Sequence, residues 1–271
     1  RRLLCLSGHP FGVMSAAARS EYDSVGPAEG FRLSGARKES FVTELFDRVA
    51  PTYDLVNLLI SFGQTTLWRW LALGALPAGV LPKGACALDV GCGTGASTAF
   101  LARRYRSRGL RVEGLDCSPV MLGCAREAHA GLTFTLGSVA ALPHDTGSLD
   151  LVTTVYTLRN FPALREGLAE MVRVTRPGGH VVILDAFPPR YAWMRWLLRL
   201  WIDGLMPRLA GMFSDQKAYR YLASSIQNTV QADEVASMLR GLGCEDVAVT
   251  RYTFGACCRL VARVPAARAG G

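Results

Sequence analysis

Residues 85–96 read Ala85-Cys86-Ala87-Leu88-Asp89-Val90-Gly91-Cys92-Gly93-Thr94-Gly95-Ala96, and the punctuation of that stretch decides the fold. A short apolar run, of the length of a buried strand, stops at three glycines on alternate positions. A run with helical character, 96–105, begins directly after them. Glycine lets the backbone turn tightly and approach a ligand with no side chain between, and the helix start behind it offers free N–H groups. The strand–turn–helix unit then recurs: 111–115 reads as a second strand ending at Asp116, with 119–127 as its helix. Further buried strands are predicted over 132–136, 149–154 and 180–184, with a helix over 162–174 before the last of them. Strands alternating with helices predict a mostly parallel sheet with helices on both faces. The segments 232–241, 245–251 and 256–263 add a helix and an antiparallel pair at the sheet edge.

Around this centre the chain of 271 residues is half apolar and 19% charged, an ordinary globular composition that excludes extensive disorder. A net charge of +8 points to an acidic partner. The basic residues are scattered and no aromatic RNA-binding consensus is present, so no nucleic-acid partner is expected and anionic lipid is favoured. The eight cysteines contain no Cys-x-x-Cys pair, which suggests a reducing compartment, and the four histidines are not grouped with them, so no metal is expected. Residues 1–37 lack periodicity and read as a flexible N-terminal extension, with the remnant of an organelle transit peptide as one reading of it, although Glu21, Asp23 and Glu29 depart from the acid-poor pattern of such peptides. The catalytic domain is expected over 38–271, with lid helices near 39–73 and 190–228.

A Gly-x-Gly-x-Gly string after a strand serves either a dinucleotide or S-adenosylmethionine, and Ala96 in the sixth position tolerates the first. Two carboxylates favour the methyl donor. Asp116, closing the second strand, can accept hydrogen bonds from both ribose hydroxyls, and Asp89 can attract the sulfonium or the amino group of the methionine moiety. The competing reading is a set of ordinary turn glycines beside solvated carboxylates.

The run Leu88 to Gly95, with Gly114-Leu115-Asp116-Cys117-Ser118-Pro119-Val120-Met121-Leu122, resembles class I S-adenosylmethionine-dependent methyltransferases. The resemblance implies a Rossmann-like α/β fold with a mostly parallel seven-stranded sheet and a helical lid. It implies donor binding by Asp89, Gly91, Gly93, Thr94, Gly95, Asp116, Cys117, Ser138, Val139 and Val155. Where that class places Asp or Asn beside adenine this chain has Ser138, which leaves recognition to a hydroxyl or to the backbone.

Four further stretches are similar to the ubiquinone/menaquinone biosynthesis C-methyltransferases: Leu45-Phe46-Asp47-Arg48-Val49-Ala50-Pro51-Thr52-Tyr53-Asp54-Leu55-Val56-Asn57, continuing to Ser61-Phe62-Gly63-Gln64 and Trp68; Leu158-Arg159-Asn160; Arg173-Val174-Thr175-Arg176-Pro177-Gly178-Gly179; and Tyr219 to Ile226. The chain departs from their pattern at Val56, Thr65, Asp185 and Phe187. The resemblance implies C-methylation of a prenylated quinol of demethylmenaquinol, demethylphylloquinol or 2-methoxy-6-polyprenyl-benzoquinol type, and Asp185 with Phe62-Gly63-Gln64 leans toward the naphthoquinols. Two alternatives stand beside it: a sterol or natural-product methyltransferase, and a non-catalytic subunit scaffolding a quinone-biosynthesis complex.

Ring-carbon methylation needs a nucleophilic carbon, so the expected catalytic set is Arg159 to stabilise a developing phenolate or orient a water, Asn160 and Tyr53 to hold ring oxygens, and Asp185 as proton acceptor. The plain alternatives are an ion pair for Arg159 and helix capping for Tyr53 and Asn57. Residues 190–206 carry three tryptophans, with Arg195, Arg199 and Asp203 recurring every fourth position. That pattern predicts an amphipathic helix too short to span a bilayer but suited to an anionic membrane interface, or to packing on the core or a dimer partner. The location expected is the cytoplasmic face of a bacterial membrane, or in a eukaryote the matrix side of the mitochondrial inner membrane or a plastid.

Overall fold

The computed structural model describes residues 21–76, 79–205 and 215–266. Seven strands form one sheet: β1 Cys86–Val90, β2 Arg111–Asp116, β3 Thr133–Leu136, β4 Leu149–Val155, β5 Thr175–Ala186, β6 Glu245–Tyr252 and β7 Cys257–Arg263. Their order is β3-β2-β1-β4-β5-β7-β6. The first five run parallel, and β7 lies antiparallel to both β5 and β6. The apolar runs that mark the central strands follow from burial on two faces: Leu88, Val152 and Ile183 point into one core, and Ala87, Leu151 and Val182 into the other. Strand order reverses beside β1, whose neighbours are β2 on one side and β4 on the other. In open α/β sheets ligands bind at that reversal, outside the carboxyl ends of the strands.

Helices α1 Gly35–Val49, α2 Tyr53–Ile60 and α3 Gln64–Gly74 precede β1, and α4 Ala96–Arg104 and α5 Pro119–Ala128 follow the first two strands. Beyond β4 come α6 Leu164–Val174, α7 Ala192–Arg199, α8 Gln216–Asn228 and α9 Ala232–Gly241. A separate apolar cluster joins α1, α2, α5 and α8 through Phe41, Leu45, Val56, Met121 and Tyr221, and forms the lid.

Three expectations are corrected. The helical run 53–73 is broken, because Phe62 and Gly63 adopt positive φ of 50° and 74° and reverse the chain between α2 and α3. The last parallel strand begins at Thr175 instead of 180. The Pro177-Gly178-Gly179 bend lies inside it, where a Cβ on residue 179 would stand 2.9 Å from the carbonyl oxygens of Arg176 and Asp150. The proposed extension does not end at 37. Residues 1–20 lie outside the described residues, but Tyr22 and Val25 are buried in the lid cluster. Tyr22 stacks on Phe41 and donates its hydroxyl to Asp215 at 2.7 Å, with the Arg48 guanidinium over its ring. A single aromatic in a polar stretch carries too little periodicity to announce such packing.

Candidate active site

The glycine turn is held from below by backbone. The N–H groups of Gly91 and Cys92 both donate to the Leu115 carbonyl at the end of β2, at 2.7 and 3.0 Å. Gly91 sits at φ +70°, and a Cβ there would lie 2.2 Å from the Thr157 methyl, whose hydroxyl donates to the Gly91 carbonyl at 3.0 Å. Gly93, at φ +54°, has no atom within 4 Å of where its Cβ would stand. A cavity opens there. Asp116 accepts the N–H of Gly93 at 2.8 Å and of Ser118 at 2.9 Å, which preforms the turn while leaving lone pairs for a ribose. Burial raises its pKa against those bonds.

The Gly91–Gly93 turn, Asp116, Cys117, Ser138 and Val139 all line this cavity, so the residues fit S-adenosylmethionine. Four residues assigned to the donor stand behind its wall. Asp89 is fully buried under the turn, accepting Thr98 and Thr153 hydroxyls at 2.7 and 3.0 Å, and burial lifts its pKa to about 6. Thr94 donates to Asp54 at 3.0 Å, which ties the turn to α2. At Gly95 a Cβ would meet the Phe134 ring at 2.7 Å, so packing demands that glycine, and Val155 belongs to the core.

At the other end of the cavity the lid contributes Tyr53, and the 158–160 turn after β4 contributes Asn160. Asn160 accepts the buried Tyr221 hydroxyl of α8 at 3.1 Å. Arg159 is buried behind it, its Nη1 2.6 Å from Asp185, and its Nε–H has no hydrogen-bond partner among the described residues. Its charge lowers the pKa of Tyr53 and Tyr221, which burial raises more strongly, Tyr221 to about 12. Asp185 is corrected as the proton acceptor: besides Arg159 it accepts the N–H groups of Leu158 and Ala186, at 2.8 and 2.7 Å, and is absent from the cavity wall. Its place is to position Arg159. Tyr53 shares a hydrogen bond with Asn57 and meets Phe46 edge-on, so the capping alternative accounts only for its local partners.

Lys38 was not foreseen. It is buried in α1, donates to the Arg159 carbonyl at 3.1 Å and lies over the Phe31 ring, and burial lowers its pKa to about 8. The Gly35 N–H donates to the Pro162 carbonyl at 3.0 Å, a second tie between α1 and the same turn. Glu39, Val42, Phe46, Tyr156, Thr157 and Phe161 also line the cavity unforeseen. The nearest local signal was the apolar spacing of 39–49.

The chain is similar to known proteins in sequence and in fold. The ubiE/COQ5 methyltransferase family matches residues 34–263. A demethylmenaquinone methyltransferase of Chlorobaculum tepidum is 34% identical over 80% of this chain and 90% of its own length. One from Tropheryma whipplei is 38% identical over 79% and 88%. The ubiquinone/menaquinone biosynthesis C-methyltransferase UbiE of Geobacter sulfurreducens is 30% identical over 79% and 84%. Among solved structures, a SAM-dependent methyltransferase from Thermotoga maritima superposes with a TM-score of 0.56 at 18% identity, over 82% of this chain and 98% of that one, and shows the shared fold. By the family match and these relatives, the chain belongs to the ubiE/COQ5 methyltransferase family.

Proposed function

We propose that this chain, a methyltransferase whose donor is S-adenosylmethionine, methylates a ring carbon of a prenylated quinol, specifically a naphthoquinol of the demethylmenaquinol type. Tyr53 and Asn160 lining one cavity with the Gly91–Gly93 turn is the observation that carries this reading. Relatives of 34–38% identity that bear the name demethylmenaquinone methyltransferase support the ring.

The donor supplies an electrophilic methyl on a cationic sulfur. The ring carbon attacks only if the neighbouring hydroxyl releases its proton and pushes electron density inward. Arg159 favours that ionisation: a buried cation with an unpartnered Nε–H stabilises an oxyanion far more than water would. Asn160, whose Oδ1 is committed to Tyr221, keeps its amide nitrogen to hold a ring oxygen. No histidine lines the cavity among the described residues, and the proton is assigned to a water oriented by Arg159 and Asn160. Burial excludes other water and fixes the ring in line with the methyl, which is where most of the rate comes from.

A polyprenyl tail requires access from lipid. Helix α7 buries none of its residues. Phe62 and Trp201 rings meet at 4.9 Å, joining the α2–α3 turn to the segment 200–205 that follows α7, and Trp193 and Phe254 meet at 5.4 Å, joining α7 to the loop before β7. Phe62 is 72% exposed and Trp196 64%. The α2–α3 turn adjoins the cavity, since Tyr156 in its wall donates to the Thr65 carbonyl at 2.8 Å. This face is read as the contact with an anionic membrane surface, where the quinol resides. Among the described residues no helix is long and apolar enough to cross a bilayer.

The deciding experiment is methyl transfer measured over a demethylated naphthoquinol, a benzoquinol and a sterol. Highest turnover on the naphthoquinol is expected. Turnover on the sterol with none on either quinol overturns the reading.

A further inference from the structure

Three residues of α1 at successive i, i+4 positions, Glu39, Thr43 and Asp47, form one stripe of that helix. Two of them touch the loop that follows the ribose carboxylate at the end of β2. The Thr43 hydroxyl donates to the Cys117 thiol at 3.4 Å, and Asp47 accepts the Ser118 hydroxyl at 2.5 Å. Glu39 stands one helical turn further along, in the cavity wall itself, with Cys117, Gly137, Ser138 and Val139. Its charge acts on the Cys117 thiol and helps raise that pKa. No hydrogen bond or ion pair engages its carboxylate among the described residues.

Adenosine brings to this cavity two ribose hydroxyls and an exocyclic amine, all hydrogen-bond donors that need acceptors once water is excluded. Asp116 answers the ribose, with part of its capacity already spent on the Gly93 and Ser118 N–H groups. The Ser138 hydroxyl accepts the Ala140 N–H at 3.1 Å, and the Asn160 oxygen accepts from Tyr221. That leaves Glu39 as the uncommitted anionic acceptor of the wall.

We propose that Glu39 of the lid helix is a donor-binding residue, its carboxylate accepting the exocyclic amine of adenine and so standing in for the acid missing at Ser138. The lid then reads the base while the sheet reads the ribose. Donor binding and lid closure become one event, because the helix that carries Glu39 also carries Lys38, which grips the Arg159 turn.

Isothermal titration with S-adenosylhomocysteine and S-inosylhomocysteine tests this without turnover. The two ligands differ at the purine 6-position, amine in one and carbonyl in the other. Wild type is expected to prefer the adenosyl ligand by at least about tenfold, since an amine–carboxylate hydrogen bond is replaced by two facing acceptors. Glu39→Ala should weaken the adenosyl ligand about tenfold and erase the preference. Adding Ser138→Asp to Glu39→Ala should restore both. Glu39 has no protein partner to lose, so the fold is expected to survive, and thermal melting checks it. Unchanged affinity in Glu39→Ala overturns the assignment, as does equal weakening of both ligands, which would mark a generic lid effect.

Discussion

In the floor of the cavity, Gly91, Cys92 and Gly93 are fixed by hydrogen bonds to Leu115 and Asp116 across two adjacent strands. In the wall opposite, Asn160 and the Arg159 buried behind it are fixed by Lys38, Asp185 and Tyr221, which come from three elements scattered along the chain. The floor is a backbone device: its glycines hold positive φ, and at Gly91 a side chain would also strike Thr157. The wall is a side-chain device with buried charge, where each member is replaceable in shape and costly in electrostatics. Damage to the floor should therefore appear in donor affinity, and damage to the wall in stability and turnover together.

The largest effect is expected from Arg159→Ala. It strands Asp185 as an unpaired buried carboxylate, which costs ~3–5 kcal/mol of stability by comparison with other broken buried pairs. It also removes the oxyanion partner, with a loss of about a hundredfold or more in kcat. Arg159→Ala with Asp185→Ala separates the two: urea unfolding should recover much of the stability while turnover stays low. Recovery of turnover in the double variant would show that Arg159 only balances Asp185.

Gly91→Ala comes next. It combines positive φ with a clash on Thr157, so S-adenosylmethionine binding by titration should weaken by about a hundredfold. Binding within a few-fold of wild type would mean that the floor is softer than its hydrogen bonds indicate.

Lys38→Met is predicted to act in opposite directions on stability and function. The lysine's folded pKa of about 8 lies below its ordinary 10.5. The unfolded chain therefore binds more protons between those values, and wild-type stability rises with pH across that window. Below about pH 8 the burial penalty is present in full, on the order of 3 kcal/mol. Lys38→Met should flatten the stability profile between pH 8 and 10.5 and gain roughly 1–2 kcal/mol at pH 7 after the lost carbonyl hydrogen bond is subtracted. It should lower kcat by about tenfold as the 158–160 turn loosens. A stability profile that keeps the wild-type slope sinks this reading.

The smallest change is reserved for Phe62→Ser with Trp196→Ser. Flotation with anionic vesicles at low salt should fall severalfold, while titration with the donor is unaffected. Equal flotation of variant and wild type would place the membrane contact elsewhere.

The floor was legible from residues 85–96 and 111–119, because its determinants lie within one strand–turn–helix unit: apolar run, glycines, terminal carboxylate. All seven strands were visible because each is a short, local apolar run. The wall was legible only as residue identities. Arg159, Asn160 and Tyr53 could be named by resemblance, but the pairing that turns Asp185 from proton acceptor into positioning residue spans 26 positions, and the Lys38 contact spans 121. Burial of Lys38, and of Tyr22 in a stretch read as an extension, depends on partners that local periodicity does not report.

The hydroxyl of Tyr22 and the carboxylate of Asp215 lie 193 positions apart, and between them runs every parallel strand of the sheet. During synthesis the donor floor can form once β4 has left the ribosome, but the early helices, covered in part by α5, wait for α8 to complete their apolar cluster. Closing so long a loop is slow and leaves Phe41 without Tyr221 and Tyr22 without Asp215 meanwhile. The nascent chain thus passes through an interval in which the half built first has its apolar cluster incomplete.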